Sequence, residues 1–555
     1  MALLINNSNR MTTKYFYFFL VLSSLQLTVA AQQPTDKSSV EIVSEYKPGL
    51  KNLNKIPFTA SPAMPDTTLP RLQYNIPNQN LTFALTPGLL RPLDLSIDQV
   101  QWQNRNFVKL GYGSYNTPYL QTGLSLGDGV TNGFNMYGRY LSSDGKRAYQ
   151  DYRDFSAQAT GFYKTPVFEW SAGAGVHNYM THKYGFEPET LIFPKDSVRQ
   201  DFMNLTLRTG IRNVTANNAG IDYSPELKMS FFNDNHQARE TGFAITAPFT
   251  KKINETFGAK LSLGFETSGL HKPGFKNIST SNFYIAPAVT YQSGSFSLHG
   301  GIRPSWDKGE FVFFPDLYAQ VGTKNQQFTL LGGFSGYIKP NSYRSLVYIN
   351  PWIWSPDTLY NTRITEMYGG IKGSLGNHFT YSGKIGLSRI KNQPLFLNDG
   401  TPGTDGKSFT VLRETNLTTR TLSGEIGYNV AERFSLLTSV TTYAFSGLKD
   451  NIKPWGLSPM ELKGSIRYKV IKELWLKADA LGMGGAQFLS KTGSNVTMKD
   501  AFDLNLGAEA TVYKGLGFWL QFNNIFNQPY QRWNQYPVYG FNFLGGIVYS
   551  FPKTK

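Results

Sequence analysis

The chain has 555 residues, of which 17% are charged and 15% are aromatic, and it contains no cysteine. The missing cysteine excludes disulfides, thiolate metal sites, a cysteine nucleophile and a lipid-modified cysteine. No run after residue 30 approaches the roughly 20 apolar residues that a membrane-spanning helix needs, and the many Phe and Tyr residues argue against disorder.

Residues 1–31 have the pattern of a secretory signal peptide. Lys14 precedes an apolar stretch from Tyr15 to about Leu27, and small residues follow at 29–31. Met11 is an alternative start of translation, because the first ten residues fit this pattern poorly. A membrane anchor is the competing interpretation, but the apolar stretch is too short for one. The sequence therefore predicts export.

Residues 32–105 form a second region with a different composition. Nine prolines lie between positions 34 and 92. Proline fixes φ and removes a backbone donor, so this stretch cannot form a regular helix or a central strand. We expect an extended, mostly irregular segment.

From about Asn106 onward the hydrophobic pattern has a period of two. In 461–470, the even-numbered positions hold apolar residues or glycine and the odd-numbered positions hold polar residues. A similar alternation occurs in 422–430 and in 503–512. Each segment has about nine or ten residues, the length of a tilted strand that crosses a bilayer. The pattern predicts membrane-spanning strands.

A soluble antiparallel sheet would show the same alternation. Its strands, however, average only about five or six residues. The links between the strands here also alternate in length: 431–433, 471–473 and 514–515 are short, whereas roughly 447–460, 483–500 and 527–539 are long. Short turns on one side and long loops on the other are typical of outer-membrane barrels.

The predicted fold is all-β: a large antiparallel transmembrane β-barrel of about 22 strands over 106–551, followed by a tail at 552–555. The stretch that runs from Phe409 through Val430 can hold one strand or two. Closure leaves no strand edge unpaired in the lipid. The strands are expected to begin near Asn106, Leu120, Gly133, Asp154, Val167, Asp201, Ile221, Ala238, Phe257, Ser281, Phe296, Phe311, Gln327, Ile364, Phe379, Phe409, Phe434, Glu461, Leu474, Asp503, Leu516 and Gly540.

The last predicted strand has an apolar face with aromatic residues near both ends, which would lie at the two membrane interfaces. This terminal strand is a candidate signal for the barrel-assembly machinery. The chain is expected to end in the periplasm, after a long external loop at 527–539. The candidate signal residues are Phe543, Ile547, Tyr549 and Phe551.

The end of the chain resembles the closing hairpin of TonB-dependent receptor barrels. It reads Asn-Ile-Phe-Asn at 524–527, then Tyr530, then Tyr-Pro-Val-Tyr-Gly at 536–540, then an aromatic strand. The family barrel has about 22 strands, which agrees with the strand count. The resemblance covers roughly 106–551, and its specific motif covers 523–551. The motif residues are Asn524, Phe526, Asn527, Tyr530, Pro537 and Gly540.

The sequence also departs from that family. A complete plug domain does not fit between Ala31 and Asn106, and Phe541 stands where the family commonly has Arg. One short acidic and aliphatic string resembles the TonB box, the segment that pairs with the energy-coupling protein. Its residues are Val40, Glu41, Ile42 and Val43.

Catalytic, metal and cofactor signals are weak. The G-x-S-x-G spacing at 123–127 lies in a predicted strand, whereas a nucleophile elbow needs a strand-to-helix turn. The P-loop-like run at 400–408 has one residue too many before its Gly-Lys-Ser and no helix after it. His177 and His182 are five apart, which places them on opposite faces of a strand. We therefore expect neither an enzyme, a metal site nor a cofactor.

The formal net charge is +16. No nucleic-acid recognition motif accompanies it, so we expect no nucleic-acid partner. The excess cations are expected to contact outer-membrane lipid and lipopolysaccharide, or to line a polar lumen. Lys463, Arg467 and Lys469 lie on the polar, inward face of their strand, where they are expected to be solvated or paired.

In known transporters a lumen as wide as that of a 22-stranded barrel is plugged, so a function for this chain must account for what fills the lumen. Three functions fit a barrel of this size. The first is an outer-membrane transport protein in which 32–105 or a partner fills and gates the lumen, with possible coupling to a TonB-type protein. The second is a barrel that anchors an outer-membrane complex and binds a periplasmic or surface partner through 32–105. A diffusion porin is the third. The closing hairpin favours the first.

Overall fold

A computed structural model of the chain describes residues 106–551, except 187–190, 216, 324–326, 377, 400–405, 431–432 and 491–493. The chain divides into two units, and all described residues belong to the second, 72–555. The predicted signal peptide, the segment 32–105, the TonB-box-like string Val40–Val43 and the tail 552–555 lie outside the described residues.

The described residues form strands and two short helices, α1 (Lys195–Val198) and α2 (Tyr343–Ile349). The strands are β1 (Asn106–Gly113), β2 (Thr117–Leu126), β3 (Asn132–Ser143), β4 (Tyr152–Lys164), β5 (Phe168–His182), β6 (Arg199–Asn213), β7 (Ile221–Tyr223), β8 (Glu226–Asp234), β9 (Arg239–Lys252), β10 (Phe257–His271), β11 (Ile278–Ser293), β12 (Phe296–Asp307), β13 (Glu310–Gly322), β14 (Thr329–Lys339), β15 (Thr362–Leu375), β16 (Phe379–Lys391), β17 (Gln393–Asn398), β18 (Phe409–Glu414), β19 (Leu417–Val430), β20 (Phe434–Ser446), β21 (Met460–Ile471), β22 (Leu474–Met483), β23 (Gln487–Leu489), β24 (Asn495–Thr497), β25 (Ala501–Tyr513), β26 (Leu516–Asn523), β27 (Gln531–Trp533), β28 (Tyr536–Pro537) and β29 (Asn542–Phe551).

The strands close into an antiparallel barrel of 22 strands. β1 pairs with β2 on one side and with β29 on the other, with Leu110 opposite Ile547 across the seam. The short strand β7 and strand β8 both pair with β9 and together form one barrel position. The hairpins β17–β18, β23–β24 and β27–β28 form separate two-stranded sheets in the long connections. Closure pairs the backbone N–H and C=O groups of every barrel strand, which lipid could not hydrogen-bond.

The predicted strand starts agree with the observed ones to within a few residues, and the largest offsets are at β2 and β11, which begin at Thr117 and Ile278. The stretch from Phe409 to Val430, which the sequence left open as one strand or two, holds two strands, and the barrel strand begins at Leu417 rather than at the predicted Phe409. It divides into β18, which pairs with β17, and β19, which enters the barrel, and the chain turns away after the buried Glu414.

The outward face of the barrel is apolar and the inward face is polar. On β1, Leu110 is 45% exposed while its neighbour Lys109 is buried, and on β16 Ile385 is 66% exposed. The last strand follows the same rule, since Phe543, Ile547, Tyr549 and Phe551 all point outward and are exposed. Such alternation is that of a transmembrane β-barrel. Among the described residues, no helix is long and apolar enough to cross a membrane.

The two ends of the barrel differ in their connections. At one end, here called the short-turn end, lie both the start of β1 and the end of β29, and its links are brief, such as 294–295, 472–473 and 514–515. At the opposite end, the long-loop end, the connections 183–198, 340–361, 392–416, 447–459, 484–500 and 524–541 are long. The predicted alternation of short and long links is therefore confirmed.

Candidate functional site

The long connections fold together into a cap across the long-loop end. The cap consists of the described residues of 183–198, 340–361, 392–416, 447–459, 484–500 and 524–541. Its main core joins the connections 340–361, 392–416 and 524–541 to the ends of β6, β8 and β10, which lie far around the barrel from β29, so the cap spans the mouth. The core residues are Phe202, Phe232, Ala238, Leu270, Tyr343, Leu346, Val347, Trp352, Ile353, Leu359, Phe396, Phe409, Trp533 and Tyr536.

Trp352 and Tyr536 form the centre of this core. Their rings stack with centroids 3.8 Å apart, and both side chains are at least 98% buried. The Trp352 indole N–H donates to the carbonyl of His182 at 2.9 Å, and the Tyr536 hydroxyl donates to the carbonyl of Lys407. Buried aromatics with satisfied polar atoms contribute strongly to packing. Three separate connections are thus held at one point.

Helix α2 is fixed to the barrel wall. Ser342 caps it, and the Glu240 carboxylate of β9 accepts hydrogen bonds from the N–H groups of Tyr343 (2.5 Å) and Arg344 (3.3 Å). A carboxylate at a helix N-terminus satisfies donors that lack partners within the helix. The Tyr343 hydroxyl donates to Asp234 of β8 at 2.7 Å. These bonds hold the helix against the wall at the mouth of the barrel.

A carboxylate clamp joins two other connections. Glu414 is fully buried at the end of β18, and its oxygens accept from the N–H groups of Asn416 (3.1 Å), Lys449 (2.8 Å) and Asn451 (2.9 Å). Burial opposes ionisation of Glu414, but these hydrogen bonds outweigh it and lower its pKa. The hairpin β17–β18 is thereby tied to the 447–459 connection.

Hairpin β27–β28 is held in the cap by Arg532. Its guanidinium is buried, lies 4.4 Å from the Trp533 ring centroid and donates to the carbonyl of Gly456 at 3.0 Å. Burial lowers the pKa of Arg532 to about 10, and Glu461 opposes that shift. The cation therefore links the closing connection to 447–459.

The predicted closing-hairpin residues meet at the base of this connection. Asn524 and Asn527 have positive φ of 47° and 51°, and the Asn524 amide donates to the carbonyls of Gln528 and Tyr539. The Asn527 side chain accepts from the Phe541 N–H at 2.9 Å, and a Cβ on Gly540 would lie 2.4 Å from its oxygen.

The other motif residues bind neighbouring elements. The Tyr530 hydroxyl donates to Asp503 of β25 at 2.9 Å, and the Pro537 carbonyl accepts from Gln150 at 2.9 Å. Phe526 is half exposed. The motif thus shapes the last connection and fastens it to the wall.

The lumen wall carries paired charges. Lys109 and Lys477 flank Glu509 at 3.1 and 3.5 Å. Arg467 lies 2.9 Å from Asp479, so the sequence-based expectation of a paired inward arginine agrees with the geometry. Lys463 pairs with Glu461 at 3.4 Å, and Lys469 lies 5.3 Å from the Trp475 ring centroid. Pairing of this kind reduces the cost of inward charges.

One chain of polar contacts connects the cap to the wall. The Tyr348 hydroxyl of α2 lies 3.1 Å from Nδ1 of His177, whose Nε2 lies 3.1 Å from Asp154. Asp154 lies 3.7 Å from Arg139 of β3. Displacement of α2 would break the contact of Tyr348 with this chain.

A small pocket lies between the underside of the cap and the wall. Its volume is about 70 Å³, and aromatic rings and amides line it, including Tyr152, Tyr179, Trp352, Asn505 and Asn523. This volume holds no more than a few water molecules. This pocket is therefore too small for a large ligand.

The residues that carry the weak catalytic and metal signals lie in different surroundings. Ser125 lies within β2, and the strand β18 directly follows Ser408. His177 contacts Tyr348 and Asp154, whereas His182 lies 3.5 Å from Asp151, so the two rings have separate partners. Within the described residues, no group of three or more His, Cys, Asp or Glu side chains is arranged to hold a metal.

Comparisons with known proteins identify the architecture. No protein-family model and no curated protein matches the chain. Among solved structures, the FrpB iron transporter from Neisseria meningitidis (F3-3 variant) has a TM-score of 0.62 at 12% identity, with 81% of this chain and 82% of that chain covered. This chain has the barrel fold of outer-membrane receptors.

Two further structures support the same receptor fold. The siderophore receptor PirA from Acinetobacter baumannii has a TM-score of 0.62 at 10% identity, covering 80% of each chain. The pyoverdine outer-membrane receptor FpvA from Pseudomonas aeruginosa PAO1, bound to pyoverdine, has a TM-score of 0.61 at 11% identity, covering 80% of this chain and 78% of that chain.

Sequence reasoning missed the cap as a site. The interval between β14 and β15 contains Trp352 and Trp354 and the capping pair Ser342 and Ser345, which together indicate an ordered connection. No local pattern indicates that Trp352 stacks on Tyr536, because the two residues are far apart in the chain. The contact depends on the closed barrel.

Proposed function

We propose that this chain is an outer-membrane transport protein with a receptor barrel, in which the cap is the gate at the external end. The observation that carries the proposal is the apolar core that joins the connections 340–361, 392–416 and 524–541 to the ends of β6, β8 and β10. A polar lumen with paired charges below it suits passage of a hydrated solute. The substrate class suggested by the solved receptors is a metal-chelating small molecule.

The proposed orientation places the cap outside and both chain termini in the periplasm. The segment 32–105 would then lie on the periplasmic side or inside the lumen, where Val40–Val43 could reach a TonB-type coupling protein. The apolar outer face would contact lipid and lipopolysaccharide, and the last strand would engage the barrel-assembly machinery. In this proposal the chain moves a solute and catalyses no reaction.

The direct test is single-channel conductance of the purified mature chain in a planar bilayer. The double variant Trp352→Ala/Tyr536→Ala removes the central stack of the core, and Phe275→Ala is the control because Phe275 is an exposed aromatic residue at the same end. Large-to-small changes in a core cost about 3–5 kcal/mol each. We expect the parent chain and Phe275→Ala to conduct little, and the double variant to conduct at least ten times more often.

Heat-modifiable migration on gels must show that each variant is a folded barrel. A folded double variant that conducts no more than the parent chain would contradict gating by the cap. A parent chain with a large, steady conductance would contradict it as well and would favour an open pore.

The second candidate is a barrel that anchors an outer-membrane complex. The observation that favours it is that the cap aromatics contact one another, as in Trp352 on Tyr536, and that the pocket beneath them is too small for a large ligand. This function predicts stoichiometric co-purification with a partner protein. Transport instead predicts solute uptake that requires the proton-motive force and that falls when Val40–Val43 are replaced, without loss of barrel from the membrane.

A further inference from the structure

A second cavity lies at the rim of the long-loop end. Its volume is about 630 Å³, and it lies where the β12–β13 turn, the start of β15, the end of β16 and the end of β18 meet. It is separate from the small pocket beneath the cap and shares no lining residue with it. Its size suits a ligand group much larger than a water molecule.

The lining of this rim cavity is strongly cationic. It includes five cationic side chains but only two carboxylates, and a single cation holds both of those. Arg363 lies 2.7 Å from Asp307 and 2.6 Å from Glu310. The remaining cations are Lys308, Lys391, Arg413 and Lys449. Among the described residues, none of these four lies within ion-pair distance of a carboxylate.

Two of these cations are held in position by neutral groups. The Arg413 guanidinium lies 3.9 Å from the Tyr360 ring centroid and donates through Nε to the Asn392 side chain at 2.8 Å. Lys308 lies 5.2 Å from the same ring and donates to the Leu359 carbonyl at 2.6 Å. Stacking and a single neutral acceptor orient a guanidinium while leaving most of its five N–H donors for a ligand.

The cavity lies just above the apolar belt of the barrel. Lys391 is on the same face of β16 as Leu387 and Ile385, which are exposed to lipid, and it is four residues beyond Leu387, about 13 Å along the strand. On β15, Arg363 likewise lies on the same face as the exposed Met367, four residues away. At this depth the apolar residues give way to the exposed Lys391 and the partly exposed Arg363, as expected where lipid headgroups begin.

We propose that the rim cavity binds the phosphorylated headgroup of a lipid in the external leaflet. Phosphate oxygens would accept charge-assisted hydrogen bonds from Arg413, Lys391 and Lys449, and the acyl chains would lie along the apolar faces of β15 and β16. Such a lipid would brace hairpin β17–β18 and the 447–459 connection from outside the barrel. The site is independent of whether the lumen transports a solute.

The test uses native mass spectrometry of the purified full chain with lipid A that carries its phosphates. Lys391→Ala/Arg413→Ala removes two cations of the cavity, and Lys251→Ala/Lys472→Ala is the control, because it removes two exposed lysines at the short-turn end. We expect the cavity variant to bind the lipid at least 10-fold more weakly than the parent chain, and the control to change by less than about twofold. Dephosphorylated lipid A should bind the unmutated chain at least 10-fold more weakly than the phosphorylated form.

Equal binding by the cavity variant and the parent chain would overturn the proposal. Equal losses in both variants would overturn it too, because they would indicate non-specific attraction. The arm with dephosphorylated lipid requires no substitution, so it decides the matter even if a variant does not fold. Inorganic phosphate is the last arm: competition at the same concentration as lipid A would refute the lipid and assign the cavity to a free phosphate ligand.

Discussion

The two ends of the barrel are built in different ways. At the short-turn end, links such as 294–295 and 514–515 are closed by glycines with positive φ, 55° at Gly294 and 91° at Gly515. At the long-loop end, the connections are held by side chains from distant parts of the chain, such as Trp352 on Tyr536. One end is specified by local turn chemistry, and the other by packing between connections.

This difference has an energetic consequence. A short turn brings two strands together at a small cost in loop entropy, so it needs little side-chain packing of its own. A long connection loses more conformational entropy when it is ordered, and that loss must be offset by buried contacts. The cap core and its polar clamps supply those contacts, so we expect single substitutions to open the cap while the barrel persists.

Among the single substitutions considered below, Glu414→Ala is expected to reduce the stability of the cap relative to the barrel most. It removes the acceptor of several part-buried backbone N–H groups and should destabilise the packing of β17–β18 on 447–459 by about 3 kcal/mol. Limited proteolysis should cleave these connections faster, while the barrel core stays resistant. Glu414→Gln should have an intermediate effect, and Glu255→Ala, an exposed carboxylate at the short-turn end, should have none.

The Glu414 clamp also has a defined pH dependence. Because the pKa of Glu414 is lowered in the folded protein, its stabilising contribution is present above the unfolded pKa and is lost as pH falls through the folded value. Proteolysis of Glu414→Ala that matches the parent chain at neutral pH would show that the clamp does not hold the two connections.

A smaller effect is expected from Lys183, which, unlike Glu414, destabilises the cap at neutral pH. This side chain is 3% exposed and lies 3.7 Å from the Trp354 ring centroid, and burial, assisted by Lys407, lowers its pKa to about 7 from 10.5. Between these values the unfolded connection binds more protons than the folded one, so stability rises with pH. From pH 7 to 9 the increase should be roughly 2 kcal/mol, since each pKa unit is worth about 1.4 kcal/mol.

Hydrogen exchange in 183–198, corrected for the intrinsic rate at each pH, measures this effect. Lys183→Met should remove the rise in protection between pH 7 and 9 and should raise protection at pH 7. Lys195→Met is the matched control in the same connection, because Lys195 is 58% exposed and paired with Asp151. A Lys183→Met profile parallel to that of the parent chain would refute the buried-lysine account.

The smallest effect concerns the short-turn end. Gly515 and Gly220 both have positive φ, 91° and 64°, but a Cβ at Gly515 would lie 2.2 Å from the Ser550 carbonyl oxygen, whereas a Cβ at Gly220 meets nothing within 4 Å. Gly515→Ala should therefore cost about 1 kcal/mol more than Gly220→Ala, which bears only the backbone penalty. The temperature at which the folded band disappears on a gel measures the difference.

Neither glycine variant should change the conductance or the proteolysis of the cap. Equal melting of the two variants would indicate that the turn at 514–515 relaxes freely. A cap that opens in Gly515→Ala would show instead that the two ends of the barrel are coupled.

The sequence predicted the barrel wall well because the relevant signal is local. Alternation in 461–470 reports which face of β21 meets lipid, and the same rule placed Phe543 and Ile547 outward on β29. It left 409–430 undecided between one strand and two for the same reason: β18 also has the composition of a strand. Only the contacts of Glu414 with Lys449 and Asn451 show that the chain turns there.

The cap and the rim cavity were beyond local reasoning. Tyr360, Lys391 and Arg413 lie in three separate parts of the chain, and no motif links them. The closing motif is an intermediate case, since Asn524 and Asn527 were identified from their spacing, but their bonds to Tyr539 and Phe541 required the folded connection.

By itself, the amino-acid sequence determined that this protein is an all-β chain with about 22 long alternating strands, short turns at one end and long connections at the other. Those features follow from the period of a strand and the conformations that turn residues permit, which are properties of neighbouring residues. Only the tertiary structure decided that β1 pairs with β29, that Trp352 stacks on Tyr536 and that Arg413 faces the rim cavity. Such contacts join residues far apart in sequence, and they exist only because closure of the barrel brings the connections together.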